Sequence, residues 1–317
     1  MFAIGELLPG FVDEVSLQQR LVGFNAQRLR PGVPRPDWRE ALDGEFALHA
    51  LEREFIERER AHVAGLAQLA PRDATAFVAW FEALNQTGPG QHDPLFPYLA
   101  EHATLEEMCW FLTQEIAGEA GFDDLVAMTQ VKLPVTAKLE LARNYWDERG
   151  RGHHSGMHGP MLERVARSLG LEARPEDTVW ESLALANLLT GLAANRCYAY
   201  HAVGALGVVE LTAPGRVSLV NQGLKRLGVA AHTRQYFALH ATLDIQHAQA
   251  WNREVHASLV AQEPELAQPI AEGALLRLTA GARCFARYRQ ELGLDTPLES
   301  RQRHPTAALG KLTAADK

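Results

Sequence analysis

The run LHATLDIQHAQAW, residues 239–251, carries His240, Asp244 and His247 with no glycine or proline to interrupt it. On an α-helix each residue turns by about 100°, so these three fall within roughly 60° of one another and line one face over two turns. Two imidazoles and a carboxylate on one face suit a divalent transition metal. The same spacing also serves ordinary surface hydrogen bonds between His and Asp. The rest of the chain has to decide between the two.

Three further stretches supply matching ligand types. In NYWDERGRGHHSGMHGPML, residues 144–162, Glu148 ends one apolar-faced helix and His158 opens the next. Gly150, Gly152 and Gly156 allow the sharp bend between them, while His153 and His154 read as solvated. In GALGVVELTAPGRVSL, residues 204–219, Glu210 follows Val208 and Val209 at an apolar helix end. It is either solvated there or buried with a partner, because burial alone would keep it neutral. In FLTQEIAGEAGFDDLVA, residues 111–127, Glu115 and Glu119 lie one turn apart on one face. The segments EAGFDDLV and ELTAPGRV share a loose form, and Glu119 precedes Glu148 by 29 positions as Glu210 precedes His240 by 30. That parallel suggests two similar helical halves and favours Glu119 over Glu115.

The collected set is Glu119, Glu148, His158, Glu210, His240, Asp244 and His247. Four carboxylates can neutralise two divalent cations and three imidazoles complete a mixed shell, as in dimetal sites inside helical bundles. One ion would be overserved. Zinc fits less well, since no cysteine joins the set.

The order Glu, then Glu-x9-His (ERGRGHHSGMH), then Glu, then His-x3-Asp-x2-His (HATLDIQH) resembles the haem-oxygenase-like diiron oxidases and oxygenases, the iron-containing redox enzymes. The likeness covers roughly residues 104–260, and WDERGRGHHSGMH and HATLDIQH are its specific parts. It implies an all-α, haem-oxygenase-like bundle holding two iron ions that react as Fe(II) with O2. Its ligands would be Glu119, Glu148 and His158 from one half and Glu210, His240, Asp244 and His247 from the other. It implies a small organic substrate and N-oxygenation of an amine, oxidative decarboxylation or C–C cleavage. Two alternatives are a metal-free enzyme of cofactor metabolism on the same fold and a non-enzymatic helical interaction protein. A single haem would leave the carboxylates unexplained.

The elements that must position these residues read as helices. Amphipathic spacing covers 38–60, 71–85, 103–130, 135–149, 157–169, 178–209, 215–228, 232–262 and 266–292, with no alternating β-pattern. Thr104 and Glu107 have capping-box form, and Pro71, Pro160 and Pro214 suit first helical turns. Residues 1–100 are expected as an N-terminal helical extension packed on the bundle, 101–295 as the diiron bundle, and 296–317 as a tail, disordered after about Pro305. Asn144 or Gln246 would orient the imidazoles, and Arg143, Arg216 or Arg234 would grip a substrate carboxylate. Tyr145, Trp146, Tyr198, Tyr200 and Phe237 are candidate pocket walls.

Of the 317 residues 47% are apolar and 22% charged, with a net charge of −8, which suits a soluble domain and disfavours nucleic acid as a partner. The apolar stretch 183–194 is too short to span a bilayer. The opening residues lack the features of a signal peptide, and three scattered cysteines suit a reducing cytoplasm. A homodimer is expected.

Overall fold

The computed structural model describes residues 13–34 and 36–295. The expected tail, 296–317, lies outside the described residues. Thirteen α-helices joined by short turns make up the described chain, which contains no strand, and the all-α class is as expected.

Helix α1 (Glu14–Leu29) begins at Asp13, whose carboxylate accepts the Ser16 N–H at 3.0 Å. It buries Leu17, Leu21 and Phe24, and Asn25 and Gln18 both bond Asn187 at 2.9 Å. Sequence spacing gave no helix here because the polar residues Gln18 and Asn25 sit on its buried face. Helix α2 (Trp38–Ala67) runs past its expected end at residue 60, and its exposed first turns give way to a buried stripe of Phe55, Ile56, Glu59 and Val63. Helix α3 (Ala74–Thr87) starts from an Asp73 cap, so Pro71 precedes it rather than sitting in its first turn. Helix α4 (Leu95–Glu101) is short and apolar.

The expected segment 103–130 is two helices. Helix α5 (Leu105–Gly118) opens on the Thr104–Glu107 capping box, and α6 (Phe122–Thr129) follows a break at Glu119–Gly121. Helix α7 (Val135–Glu148) and α8 (His158–Leu169) flank the glycine-rich bend. The segment 178–209 is also divided. Helix α9 (Trp180–Ala194) ends at Asn195, a tight turn spans Arg196–Tyr198, and α10 runs from Ala199 to Arg226.

Helix α10 overturns one local expectation. Pro214 lies inside it, not in a first turn. Proline has no N–H to give the carbonyl four residues back, here that of Glu210, which normally breaks a helix. Burial on both sides of the proline holds this one together, with Val203, Leu206 and Val208 before it and Val220 and Leu224 after it. Glu210 is therefore mid-helix, not at a helix end. By length and composition the stretch Arg196–Arg226 is the one described helix able to cross a membrane, yet half of its most apolar window is packed inside the protein.

Helix α11 (Gln235–Ala250) passes through a π-helical turn at Trp251–His256 into α12 (Ala257–Gln262), and α13 (Ala267–Glu291) closes the bundle. Helices α10 and α13 form the most extensive helix pair. Gly207 leaves room for the Trp251 and His256 rings, each 2.7 Å from where a Cβ would sit.

Glu272 on α13 ties α2 and α10 together, accepting from Arg60 at 2.8 and 2.9 Å and lying 3.0 Å from His201 Nε2. Burial alone would raise its carboxyl, but His201 and Arg60 hold it at about 2. A carboxyl depressed on folding stabilises the native state above its unfolded value near 4.5, and that contribution is lost as pH falls towards 2. Urea midpoints of the native protein and Glu272→Gln are expected to differ at neutral pH and to converge across that acid window.

Candidate metal centre

Glu148 is the last residue of α7, and the chain reverses at once. Gly150 adopts φ 59° and Gly152 φ 84°. A Cβ at Gly150 would lie 2.3 Å from the Gly156 carbonyl carbon, so only glycine permits the turn. An antiparallel bridge between Arg149 and Met157 closes it, and Arg149 bonds Asp123 and Asp124 of α6 at 3.0 Å each. The result is a fixed loop that brings His158 Nδ1 to 2.5 Å from Glu148 Oε2.

Helix α11 supplies its stripe on the opposite wall. His240 Nδ1 lies 2.7 Å from the Tyr236 carbonyl, which can only accept, so Nδ1 carries the proton and Nε2 offers a lone pair. The His240 ring meets that of His158 edge-on with 4.4 Å between centroids. His247 is held from two sides, with Nε2 3.2 Å from Asp147 Oδ2 and Nδ1 3.3 Å from Glu210 Oε2. Asn144 donates to the other Glu210 oxygen at 2.6 Å. Asn144, Asp147 and Glu148 are three and four residues apart, so one face of α7 serves both imidazole and carboxylate partners.

Two donor groups result, Glu148 with His158 and His240, and Glu148 with Glu210 and His247. Within each group the ligand atoms lie within 4.8 Å of one another. Glu148 belongs to both. Asp244, buried between the two histidines of its helix, has an Oδ1 without a hydrogen-bond partner. Both ring nitrogens of His158 and Nδ1 of His247 also lack one, because their close approaches to carboxylates do not have hydrogen-bond geometry. Buried polar atoms are normally satisfied. Lone pairs that converge without bonding one another are those of a ligand set, and the residues present fit a pair of cations.

The electrostatics agree. Burial, reinforced by Glu210, pushes the Glu148 carboxyl well above the usual range. Burial with Glu210 and Glu148 lifts Asp244 to about 10. Burial lowers His158 and His240 to about 4, leaving neutral imidazoles. Burial would lower His247 too, but Glu210, Asp147 and Glu148 hold it at about 9. Acids this close cannot all ionise unless cations arrive to replace their protons.

Glu119 stands slightly apart. Its carboxylate accepts from the backbone N–H groups of Gly121 at 2.9 Å and Phe122 at 3.1 Å, starting α6. It lines the same cavity and interacts electrostatically with Glu148 and His158. Glu115, one turn earlier, faces Arg277 and Arg216 instead. Both line the cavity, and neither belongs to the two donor groups.

The cavity beside the cluster measures about 180 Å³, with apolar walls from Phe111, Ile116, Leu185, Val217, Phe237 and Phe285. Six of the seven candidate ligands line it, and His247 is buried just behind. Among the residues expected to orient the imidazoles, Asn144 bonds the Glu210 carboxylate instead and Gln246 is exposed. Arg143 pairs with Glu140 at the surface, Arg234 bonds Asn221 and the Val229 carbonyl, and Arg216 alone of the three reaches the cavity. Of the aromatic candidates Phe237 is a wall; Tyr145, Trp146, Tyr198 and Tyr200 do not line the cavity. Asp147, Tyr236 and Arg277 were not anticipated.

An all-α chain that turns buried imidazoles and carboxyls inward on an apolar cavity has the form of a helical-bundle metalloenzyme. The family model for iron-containing redox enzymes matches residues 109–282, more than half of the chain, and the chain belongs to that family. It is an iron-dependent oxidoreductase of haem-oxygenase-like fold. Comparison with curated proteins finds no match.

Proposed function

We propose that the protein is a non-haem diiron oxidase or oxygenase that uses O2 to oxidise a small organic molecule. The observation that carries this reading is the pair of donor groups sharing Glu148. One ion would take Glu148, His158 and His240, and the other Glu148, Glu210 and His247. Asp244, with an unpartnered Oδ1 and electrostatic coupling to Glu210 and Glu148, would add a carboxylate, and Glu119 would join only by leaving its backbone bonds. Two bound Fe(II) ions would supply the electrons and the open coordination positions for reaction with O2.

The chain's own residues do the rest. Tyr236 holds the His240 ring through its carbonyl, and Asp147 and Asn144 hold His247 and Glu210. The apolar walls exclude water from the reacting centre and leave room for a substrate. An interaction protein or a metal-free enzyme would have no use for four buried nitrogen and oxygen atoms left unbonded.

The test is anaerobic loading with Fe(II), metal counting, and O2 uptake after mixing. Close to two irons per chain and rapid O2 consumption are expected. Binding that is indifferent to His240→Ala and Glu210→Ala would overturn the reading. Asp147→Asn is expected to weaken the ion held by His247 by roughly tenfold to a hundredfold, the usual effect of losing a partner that orients a ligand. A metal titration would then show one weakened and one unchanged affinity.

A further inference from the structure

The first half of α2 runs along the outside of the described chain. Glu52 is its first buried residue, so Trp38–Leu51 extends for ~21 Å without burying a side chain. A helical stretch of this length, with Gly44 inside it, draws its stability from packing one face rather than from propensity. Trp38, Leu42 and Phe46 are 50%, 52% and 74% exposed. Spaced four apart, they form a single ridge. Isolated exposed apolar side chains are ordinary, but three large ones in one ridge mark a contact surface.

The flanks of the ridge say what it fits. The buried residues Phe55, Ile56, Glu59 and Val63 define the body-facing side of α2, about 80–90° to one side of Leu42. Arg39 and Asp43 lie about 60° and 100° to the other side, so the outer flank carries one charge of each sign. Arg39 lies over the Trp38 ring at 4.3 Å, which ties that flank to the ridge. When two identical helices pair antiparallel about a two-fold axis, like flank meets like flank, and residues before the centre meet residues after it. Two copies of α2 crossing near Leu42 therefore set Trp38 and Leu42 of each against Leu42 and Phe46 of the other. Arg39 of each then comes beside Asp43 of the other. Ridges of this spacing interdigitate at a crossing angle of about 50°. The face is complementary to itself in both shape and charge.

We propose that the protein is a homodimer in which the outer halves of α2 from two copies pair antiparallel. The ridge of Trp38, Leu42 and Phe46 forms the centre of the contact, and two Arg39–Asp43 pairs close one edge. The body of each copy begins ten residues past Leu42, ~15 Å along the helix, so the two bodies lie towards opposite ends of the pair. This gives the expected homodimer its contact surface and is independent of the diiron reading.

Sedimentation of the full chain over a micromolar concentration series tests the pairing. A mass of two 35.0 kDa chains is expected. Phe46→Glu is expected to raise the dissociation constant at least ~tenfold, as loss of a central apolar anchor does. Arg39→Asp and Asp43→Arg each set like charges together twice across the two-fold axis. Each is expected to weaken pairing at least ~tenfold, and less at high salt. Mixing these two variants restores opposite charges at both contacts, and dimers are expected to return. Circular dichroism checks that each variant is folded. A monomeric full chain, a folded Phe46→Glu that pairs unchanged, or a mixture no tighter than either variant alone would overturn the proposal. So would pairing that appears only after residues 1–12 are removed, which would assign the ridge to that segment.

Discussion

Glu148→Gln is expected to empty both iron positions and, at the same time, to make the metal-free protein more stable. The first effect follows from geometry, because Glu148 is the one residue common to both donor groups. His240→Ala or Glu210→Ala removes a ligand from one group only and is expected to leave the other ion in place. The second effect follows from burial. Glu148 is 4% exposed and stands among Glu210, Glu119 and Asp123, which together with desolvation keep its carboxyl protonated. A glutamine of the same shape keeps the packing and removes a group that resists ionisation as pH rises. A carboxyl raised on folding costs stability above its unfolded value, so the advantage of the variant should grow with pH. Iron counting and thermal melting of metal-free protein across pH 6 to 9 check both halves. A variant that keeps one iron, or that melts below the metal-free parent throughout, would show that Glu148 is neither shared nor strained.

Gly204→Ala and Gly273→Ala are expected to be among the most destabilising small substitutions in the chain. A Cβ at Gly204 would sit 1.8 Å from the Ile270 carbonyl oxygen, and one at Gly273 would sit 1.9 Å from that of His201. The pattern is reciprocal. Gly204 lies three residues after His201, and Gly273 three after Ile270, so α10 and α13 cross backbone to backbone at one point. Alanine would gain about 1 kcal/mol of helix propensity. Forcing two backbones apart outweighs that, since overpacking costs about 1–3 kcal/mol even where side chains can yield. A net loss of at least ~2 kcal/mol corresponds to a fall of roughly 4–8 °C in Tm for a domain of this order. The crossing also positions the candidate site, because α10 carries Glu210. Gly204→Ala protein that still folds is expected to bind iron more weakly. Differential scanning calorimetry of both variants decides it, and unchanged melting would mean the helices separate freely.

What the sequence revealed follows from which signals are local. Glu148 and His158 are legible because three glycines between them announce a bend, and only a bend brings residues ten apart together. The His240, Asp244 and His247 stripe is legible from helical period alone. Pro214 misleads for the same reason: proline punctuates a chain locally, and nothing near it in sequence shows that α10 is gripped on both sides. Helix α1 hides because its buried face includes Gln18 and Asn25, satisfied by Asn187 more than 160 residues away. Arg277 sits between Leu276 and Leu278 on an otherwise apolar helix face. A lone polar residue there gives no clue whether it faces a cavity, a partner or water. Asp147 directly precedes Glu148, but its partner His247 is 100 positions away, so its grip on that imidazole appears only once α11 is in place. Gly204 and Gly273 carry no sequence signal of their own, since their role lies in each other.

The central claim, two ions bridged by one glutamate, is tested most directly by crystals grown or soaked anaerobically with Fe(II) and measured at the iron absorption edge. Two anomalous peaks per chain are expected, both within ligand distance of Glu148, one beside His158 and His240 and the other beside Glu210 and His247. A single peak, or iron bound away from Glu148, would contradict the account.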